Sequence, residues 1–283
     1  MCNMNCKNCG GCVNMEAAIV EAWKNMSKEQ KKEALTNYMR ARGLIEHEKP
    51  ESTMTVPKEW TIIEGEAFPV WKNNTALEDS PVFISEGLTK KMKGVPAIST
   101  SCRFNKYCKA RMKNPELICS VCFASDSLNQ YKQAGEHASL NYYLLTHHII
   151  PDDMLPVFPN LHHMRIEWAG DIENEIQVIN YLNIIKKNPR VTFAWWTKNT
   201  KLLDKVLDKY GKPENMIYIQ SSARFNIPDK VISKYADKLF TVYDKKYIKE
   251  HNIVINCGAR SCNRCMRCYD LNNNEFYINE QKK

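Results

Sequence analysis

The chain has 283 residues, of which 43% are hydrophobic and 25% are charged, the composition of an ordinary globular protein with a sizeable core. No apolar run reaches the roughly 18 residues of a membrane span, and the N-terminal stretch MCNMNCKNCGGC lacks the apolar centre of a secretory signal. We therefore expect a cytoplasmic protein that contacts no membrane and keeps its thiols reduced. The formal net charge of +8 alone would suit an acidic partner such as nucleic acid.

The first part of the chain is patterned differently from the rest. Residues 1–14 are a cysteine-rich segment, and residues 15–80 read as a helical extension followed by a linker. Apolar side chains recur at helical spacing in the extension, and Ser27 with Gln30 matches a capping box, so two helices are predicted there. Residues 45–80 are polar, carry two prolines and show little periodicity, which is typical of a connection.

Residues 81–256 alternate short β-branched or aromatic runs with helical patterns, which favours a mostly parallel α/β sheet with right-handed crossovers. Five or six such units suit a partial or full (β/α) barrel of about six βα units better than an open sheet, and a doubly wound sheet is the alternative. Residues 257–283 are predicted to form a cysteine-rich cluster-binding segment and a polar, mobile tail. The predicted strands are Val82–Ser85, Val95–Ser99, Met164–Trp168, Val191–Trp196, Met216–Gln220, Phe240–Tyr243 and Ile253–Asn256, and the predicted helices are 127–149, 173–187, 199–210, 228–237 and 245–250.

All twelve cysteines of the chain fall into three groups of four. A tetrahedral metal or an iron–sulfur cluster needs four soft thiolates at one point, and a C-x2-C step lets two neighbouring cysteines reach one centre. The sequence therefore predicts three metal sites. Their ligands would be Cys2, Cys6, Cys9 and Cys12 in the first group; Cys102, Cys108, Cys119 and Cys122 in the middle group; and Cys257, Cys262, Cys265 and Cys268 in the C-terminal group.

Three kinds of chemistry could use these cysteines. Disulfides are disfavoured, because C-x2-C pairs close very short loops and a reducing compartment is expected. Zinc is the serious alternative, but its sites usually pair two C-x2-C knuckles that lie a dozen or more residues apart. The C-terminal group, C-x4-C-x2-C-x2-C, is a compact run without histidine, which favours iron–sulfur ligation. The first group is equally compact, and whether it is occupied stays open.

The middle group follows the predicted strand Val95–Ser99 and precedes the helix that begins near Ser127, so we expect it at the mouth of the barrel. This placement, with Phe123 directly after the last cysteine, resembles the first βα loop of radical S-adenosylmethionine enzymes. Their usual motif, C-x3-C-x2-C, leaves one iron of the cluster open to chelate the amino and carboxylate groups of the cofactor. The spacing here is C-x5-C-x10-C-x2-C. Either one cysteine is spare, or all four bind and the open iron is lost.

Residues after two later strands complete the predicted rim. In radical S-adenosylmethionine enzymes a glycine-rich turn with an acidic residue binds the cofactor's ammonium group, and the resemblance implies this role for Gly170 and Asp171. The alternative is an ordinary turn or helix N-cap. Ser221 and Ser222 could contact an adenosyl group, a carboxylate or a phosphate of the substrate, or they could cap the next helix.

The order of several short segments resembles the gene-product-eighty-eight family of phages over about residues 80–270. The resemblance implies a phage or prophage setting and a barrel, and it supplies no known reaction. The first cysteine group lies outside it. The segments that carry the resemblance are Cys-x2-Cys-Phe-Ala, RIEWAGDIENE, NPRVTFAWWTKN, a strand that ends in Gln-Ser-Ser, and NCGARSCNRCMRCYD.

Three functions follow from these patterns. The first is a radical S-adenosylmethionine-like enzyme with two or three 4Fe-4S clusters: a reducing cluster on the middle group, an auxiliary cluster on the C-terminal group, and an electron donor such as flavodoxin or ferredoxin. The second is a fully ligated multicluster protein for electron transfer or redox sensing. The third is a zinc-stabilised nucleic-acid-binding protein, suggested by the net charge and by Arg260, Arg264 and Arg267 among the last cysteines. Those arginines could equally tune a cluster, so nucleic acid ranks last among the partners.

Overall fold

The computed structural model describes residues 25–27, 30–31, 59–71, 79–85 and 90–282. The chain divides into two compact units, residues 1–55 and residues 56–283, and the sheet described below belongs to the second. The first cysteine group, Cys2, Cys6, Cys9 and Cys12, and most of the predicted N-terminal helices lie outside the described residues. The capping box does not: the Gln30 amide donates to Ser27 Oγ at 3.1 Å, and the Ser27 amide donates to Gln30 Oε1 at 2.8 Å.

A short hairpin lies in the region predicted as a plain connection. Strand β1, Trp60–Ile63, pairs antiparallel with β2, Glu66–Pro69. The two turn residues, Glu64 and Gly65, both have positive φ angles, 50° and 83°, as a two-residue type I′ turn requires. The sequence lacks the usual Asn-Gly or Asp-Gly signal and each strand has only four residues, so the pattern did not reveal it.

Six parallel strands form the main sheet in the order β3-β4-β5-β6-β7-β8. This confirms an α/β fold with a parallel sheet. Neighbouring strands of the sheet are consecutive in the chain, so the strand order does not reverse as it does in a doubly wound sheet. Right-handed crossovers between strands in this order place the connecting helices on one face of the sheet. Closure into a barrel stays a prediction, because no ladder joins β3 to β8 among the described residues. The strands are β3, Ala97–Ile98; β4, His163–Ile166; β5, Thr192–Thr197; β6, Met216–Ser221; β7, Lys238–Tyr243; and β8, Tyr277–Gln281.

Seven α-helices accompany these strands in the described part of the chain: α1, Lys106–Met112; α2, Phe123–Gln130; α3, Lys132–His147; α4, Glu175–Lys187; α5, Thr200–Tyr210; α6, Lys245–His251; and α7, Cys262–Cys265. Short 3-10 turns cover Lys90–Met92, Ile118–Val121 and Asp152–Met154. None of these described helices combines the length and apolar character that crossing a membrane requires.

Two helix predictions need correction. The predicted helix 127–149 is two helices, α2 and α3, with a break at Tyr131. The predicted helix 228–237 is wrong, because that segment is irregular. Its backbone is held by β6 instead: the Ser233 amide donates to Gln220 Oε1 at 2.9 Å, and Gln220 Nε2 donates to the carbonyl of Val231 at 2.9 Å. Side-chain bonds of this kind replace the i to i−4 bonds of a helix.

Two strand predictions are also wrong. Ile253–Asn256 forms no strand, and the sixth strand is β8, which lies in the tail predicted to be mobile. The amides of Asn256 and Cys257 both donate to the carbonyl of Asn279, so the predicted segment lies alongside β8. At the other edge, Val82–Ser85 contributes a single antiparallel bridge from Ser85 to Ala97 rather than a strand.

The two faces of the sheet are covered by different parts of the chain. Phe193 and Trp195 of β5 pack into the core with apolar residues of α3, α4 and α5. Ala194 between them points to the opposite face, as strand geometry requires. There it joins a second cluster with Ile217 and Ile219 of β6 and with Tyr269, Cys262 and Cys268. The C-terminal cysteine segment therefore lies on the face opposite α3, α4 and α5.

Strand β8 gives a direct test of this fold. Ile278 is fully buried and pairs with Phe240, whereas its neighbour Tyr277 is 58% exposed. Ile278→Ala should lower the free energy of unfolding by about 2–5 kcal/mol, because it leaves a cavity in the core. Tyr277→Ala should change it by less than about 1 kcal/mol. Denaturant unfolding measures both, and an equally small effect of the two substitutions would mean that the tail is not a strand.

Candidate metal sites at the strand ends

The carboxyl ends of four neighbouring strands bring the predicted site residues of the middle region together. Cys102 follows β3, Asp171 follows β4, Lys198 follows β5 and Ser222 follows β6. Because the strands are parallel, these positions meet at one edge of the sheet. This edge is where the sequence analysis expected the middle cysteine group.

Asn105 fixes the loop that carries the first two cysteines of the middle group. It is fully buried. Its Oδ1 accepts a hydrogen bond from the Cys108 amide at 2.8 Å as the N-cap of α1. Its Nδ2 donates to the carbonyl of Asp171 at 2.6 Å. One side chain thus joins the β3 loop to the β4 end.

A second contact positions the other two cysteines of the middle group. The Ile118 amide donates to the carbonyl of Ala223 at 2.9 Å, which ties the segment before Cys119 to the end of β6. Cys122 is the N-cap residue of α2. The loop of the middle group therefore extends along the strand ends from β3 to β6.

The sulfur atoms of the middle group act on one another. The thiol of Cys102 donates a hydrogen bond to the sulfur of Cys122, which lowers the pKa of Cys122 to about 6, with further help from the Ser125 and Ala124 amides at the start of α2. The same bond and burial raise the pKa of Cys102 well above its usual range. Burial raises the pKa of Cys108, as do the nearby charges of Cys119 and Cys122. All four sulfurs thus belong to one electrostatic cluster.

The C-terminal group is also a cluster, and it faces cations. Lys91 Nζ donates to Cys257 Sγ at 3.2 Å and to Glu280 Oε1 at 2.7 Å. Burial disfavours the charged form of Lys91, but these two partners outweigh it and raise its pKa. Burial raises the pKa of Cys257, Cys262 and Cys268, the last to about 12.

Two further cations lie on the same face of the sheet. Arg165 stacks its guanidinium 4.2 Å from the ring centre of Trp196, and its charge favours the thiolates of Cys262 and Cys268. Lys238 Nζ donates to the carbonyl of Asn273 at 2.7 Å, and its charge favours the Cys268 thiolate. The positive charges around the C-terminal group suit an anionic occupant.

The eight described cysteines are all free, so none of them forms the disulfides that were one alternative. In the part of the chain that the structure describes, no three His, Cys, Asp or Glu side chains are arranged to hold a single metal ion. The assignment of these cysteines as ligands stays a prediction. What the structure adds is where the two described groups lie: one along the strand ends and one on a sheet face.

The residues predicted to bind the cofactor are engaged inside the protein. A side chain at Gly170 would lie 2.4 Å from Thr100 Oγ1, so only glycine fits there. The carboxylate of Asp171 accepts hydrogen bonds from the Lys198 amide at 2.9 Å, from Thr197 Oγ1 and from the Ile172 amide. Burial raises its pKa.

The predicted serines lie at the end of β6. Ser222 Oγ is 2.7 Å from Thr241 Oγ1, and Ser221 is buried beside it. The Asp229 amide donates to Ser222 Oγ at 3.3 Å. Binding of the cofactor by Gly170, Asp171, Ser221 and Ser222 stays a prediction.

Glu167, the central carboxylate of this edge, was not predicted from the sequence. Glu167 is 2% exposed and has a left-handed backbone conformation, with φ of 59°. Burial raises its pKa to about 7. A carboxylate that ends an apolar strand, in Arg-Ile-Glu-Trp-Ala-Gly-Asp, was the available signal. Its side chain accepts hydrogen bonds from the Thr100 amide, Thr100 Oγ1, Ser99 Oγ, Gln177 Nε2 and Tyr181 OH.

A cavity of about 230 Å³ lies beside β3 and α3. Its walls include Phe83, His137, Asn141 and Trp168. Trp168 packs in the same apolar cluster as Cys102. No cysteine of the described residues lines this cavity, and its volume is below the roughly 300–1,000 Å³ of typical small-molecule pockets.

Substitution of Glu167 should change how stability depends on pH. Because the pKa of Glu167 rises from 4.5 to about 7 on folding, the folded protein binds this proton more tightly than the unfolded chain does. Its contribution to the free energy of unfolding is therefore present at low pH and is lost as the pH rises through this range. Glu167→Gln removes the titration. The stability of the wild type relative to this variant should fall by about 3 kcal/mol across the range. Denaturant unfolding at several pH values measures this, and parallel curves for the two proteins would contradict it.

The comparisons with known proteins agree with the segment order noted in the sequence. A family model described as gene product 88 matches residues 67–280. Neither the curated proteins nor the solved structures contain a match. The matched region contains both described cysteine groups and nearly the whole parallel sheet. The chain belongs to the gene product 88 family.

Proposed function

We propose that this protein is a cytoplasmic iron–sulfur protein of phage or prophage origin, with one 4Fe-4S cluster on the middle cysteine group and a second on the C-terminal group, and that it acts as a radical S-adenosylmethionine-like enzyme. The observation that supports the proposal is that the cysteines within each described set are near enough to influence one another's pKa. Four converging thiols are the donor set of such a cluster.

The position of the middle group supports a catalytic role for it. Cys102, Cys108, Cys119 and Cys122 would hold the reducing cluster at the carboxyl ends of the strands, where parallel α/β folds place their chemistry. The sequential strand order supports a partial barrel. When bound at the middle group, a reduced cluster and S-adenosylmethionine supply the cleavage of a carbon–sulfur bond.

The residues of the strand ends would keep this site rigid. Asp171 ties the β4 loop to the end of β5 through the Lys198 amide, and Asn105 ties it to the β3 loop. Glu167 fixes the backbone of Thr100, two residues before Cys102. Positioning of this kind prevents a cluster and its ligand from shifting relative to one another.

The C-terminal group would hold the auxiliary cluster. A cluster held by four thiolates carries net negative charge, and Lys91, Arg165 and Lys238 are near enough to favour the thiolates of this group. The sheet separates this group from helices α3, α4 and α5.

An exposed surface beside the middle group would receive the electron donor. Phe104, Val121 and Phe123 are 51%, 57% and 68% exposed. Val121 and Phe123 flank Cys122, and the exposed Lys106, Lys109 and Lys113 lie on or next to α1. Glu116 and Asp126 are exposed in the same region, so the apolar patch is the feature that would contact a redox protein such as flavodoxin or ferredoxin.

A second candidate is a fully ligated protein for electron transfer or redox sensing. Two observations favour it. Each described group offers four thiols rather than three. The Asp171 carboxylate already accepts hydrogen bonds from Thr197, Lys198 and Ile172, which leaves less capacity for a cofactor's ammonium group.

Metal content tests the iron–sulfur proposal. After anaerobic purification the wild type should contain iron and sulfide, with a broad visible absorption that bleaches on reduction. Cys122→Ala and Cys268→Ala should each lose one cluster's share of iron, and the double variant should lose both shares. Ser120→Ala, an exposed neighbour in the middle loop, is the matched control and should keep all of it. A colourless wild type with stoichiometric zinc would contradict the proposal and favour the zinc alternative.

Cofactor cleavage distinguishes the two iron–sulfur candidates. The reduced wild type should convert S-adenosylmethionine to 5′-deoxyadenosine, which chromatography detects, and Cys122→Ala should not. Cys268→Ala should retain the reaction, because the C-terminal group lies on a different face of the sheet. A wild type that keeps its iron and forms no 5′-deoxyadenosine would be an electron-transfer or sensing protein instead.

A further inference from the structure

Arg111 is a half-buried cation, and two of its hydrogen-bond donor atoms are buried and unused. It lies on α1, and its guanidinium stands 5.2 Å from the ring centre of Tyr107. Its Nε and Nη2 atoms are buried and have no hydrogen-bond acceptor among the described residues. Native proteins rarely leave such donors unpaired, and an unpaired buried charge is costly. An acceptor is therefore expected at this place when the protein functions.

The two unused atoms define the shape of that acceptor. Nε and Nη2 form one edge of the planar guanidinium, and their N–H bonds are nearly parallel. This edge matches two oxygens of a carboxylate or a phosphate in a bidentate pair. Lysine has no equivalent edge, because its ammonium is a point charge.

The neighbours of Arg111 do not fill this edge. Cys119 accepts a hydrogen bond from the Arg111 side chain but leaves Nε and Nη2 unpaired. Asp171 is near enough to attract the guanidinium electrostatically, but its carboxylate accepts hydrogen bonds from Thr197 Oγ1 and the Lys198 amide instead. The open edge thus lies beside the middle cysteine group without an internal carboxylate to neutralise it.

We propose that Arg111 binds the carboxylate or phosphate group of a small-molecule ligand through its Nε and Nη2 atoms, beside the middle cysteine group. The site goes beyond the proposed cluster, since the unused donors exist whatever metal the cysteines hold. It gives the region beside Cys119 a preference for anionic ligands.

Anion-dependent thermal unfolding of the full chain tests the proposal, with sodium formate as the carboxylate probe, inorganic phosphate as the phosphate probe, and sodium chloride at matched ionic strength as the baseline. At least one probe should raise the unfolding temperature of the wild type, because a ligand that binds only the folded state stabilises it. The apparent Kd from this titration should be at least about tenfold weaker in Arg111→Met. Arg111→Lys should give an intermediate value. The stronger of the two probes identifies the anion.

Arg224→Met is the matched control. Arg224 is an exposed arginine that pairs with Glu116 on the neighbouring loop, and its removal should leave the response to the probes at the wild-type level. Without a probe, Arg111→Met should unfold at the wild-type temperature or above, because it removes an unpaired buried charge.

Three outcomes would overturn the proposal. One is the same response to the probes in the wild type and in Arg111→Met. Another is no response to either probe in the wild type. The third is a probe-independent fall in the unfolding temperature of Arg111→Met together with a changed visible spectrum, which would mean that the guanidinium serves the cysteine group itself.

Discussion

Placement of two cysteine groups at separate places around one parallel sheet is the constraint on which the rest of the structure depends. The middle group needs a loop that reaches from the end of β3 to the end of β6, and the C-terminal group needs a segment that returns across the free face of the sheet. A sheet with helices on both faces would leave no place for that segment. The sequential strand order provides it.

Buried polar side chains maintain the strand ends on which the middle group is built. Glu167, Asp171 and Asn105 each bond to the backbone of a different strand end or loop. Buried carboxylates are costly unless several donors surround them, and here each has at least three. Among the described residues, Arg111 has two buried hydrogen-bond donor atoms, Nε and Nη2, without an acceptor. These two donors are the basis of the proposed preference for an anionic ligand.

The sequence predicted the strands and helices whose apolar pattern is strong, and it predicted the cysteine groups from spacing alone. β5 and β6 are almost entirely buried, so their apolar runs were plain. β8 was missed because only Ile278 of its five residues is buried. The predicted helix at 228–237 was wrong because the side chain of Gln220, a residue of β6, forms hydrogen bonds with the backbone of Val231 and Ser233. The bonds of Asp171 and Glu167 likewise depend on partners that are far away in the chain, and no local pattern contains them.

Iron K-edge absorption on the anaerobically purified wild type tests the central claim most directly, since it shows the atoms around the metal. The account predicts iron surrounded by sulfur neighbours, with a second shell of other iron atoms, as in a cluster held by thiolates. Protein without iron, or an absorption edge from zinc with sulfur neighbours and no iron shell, would contradict it.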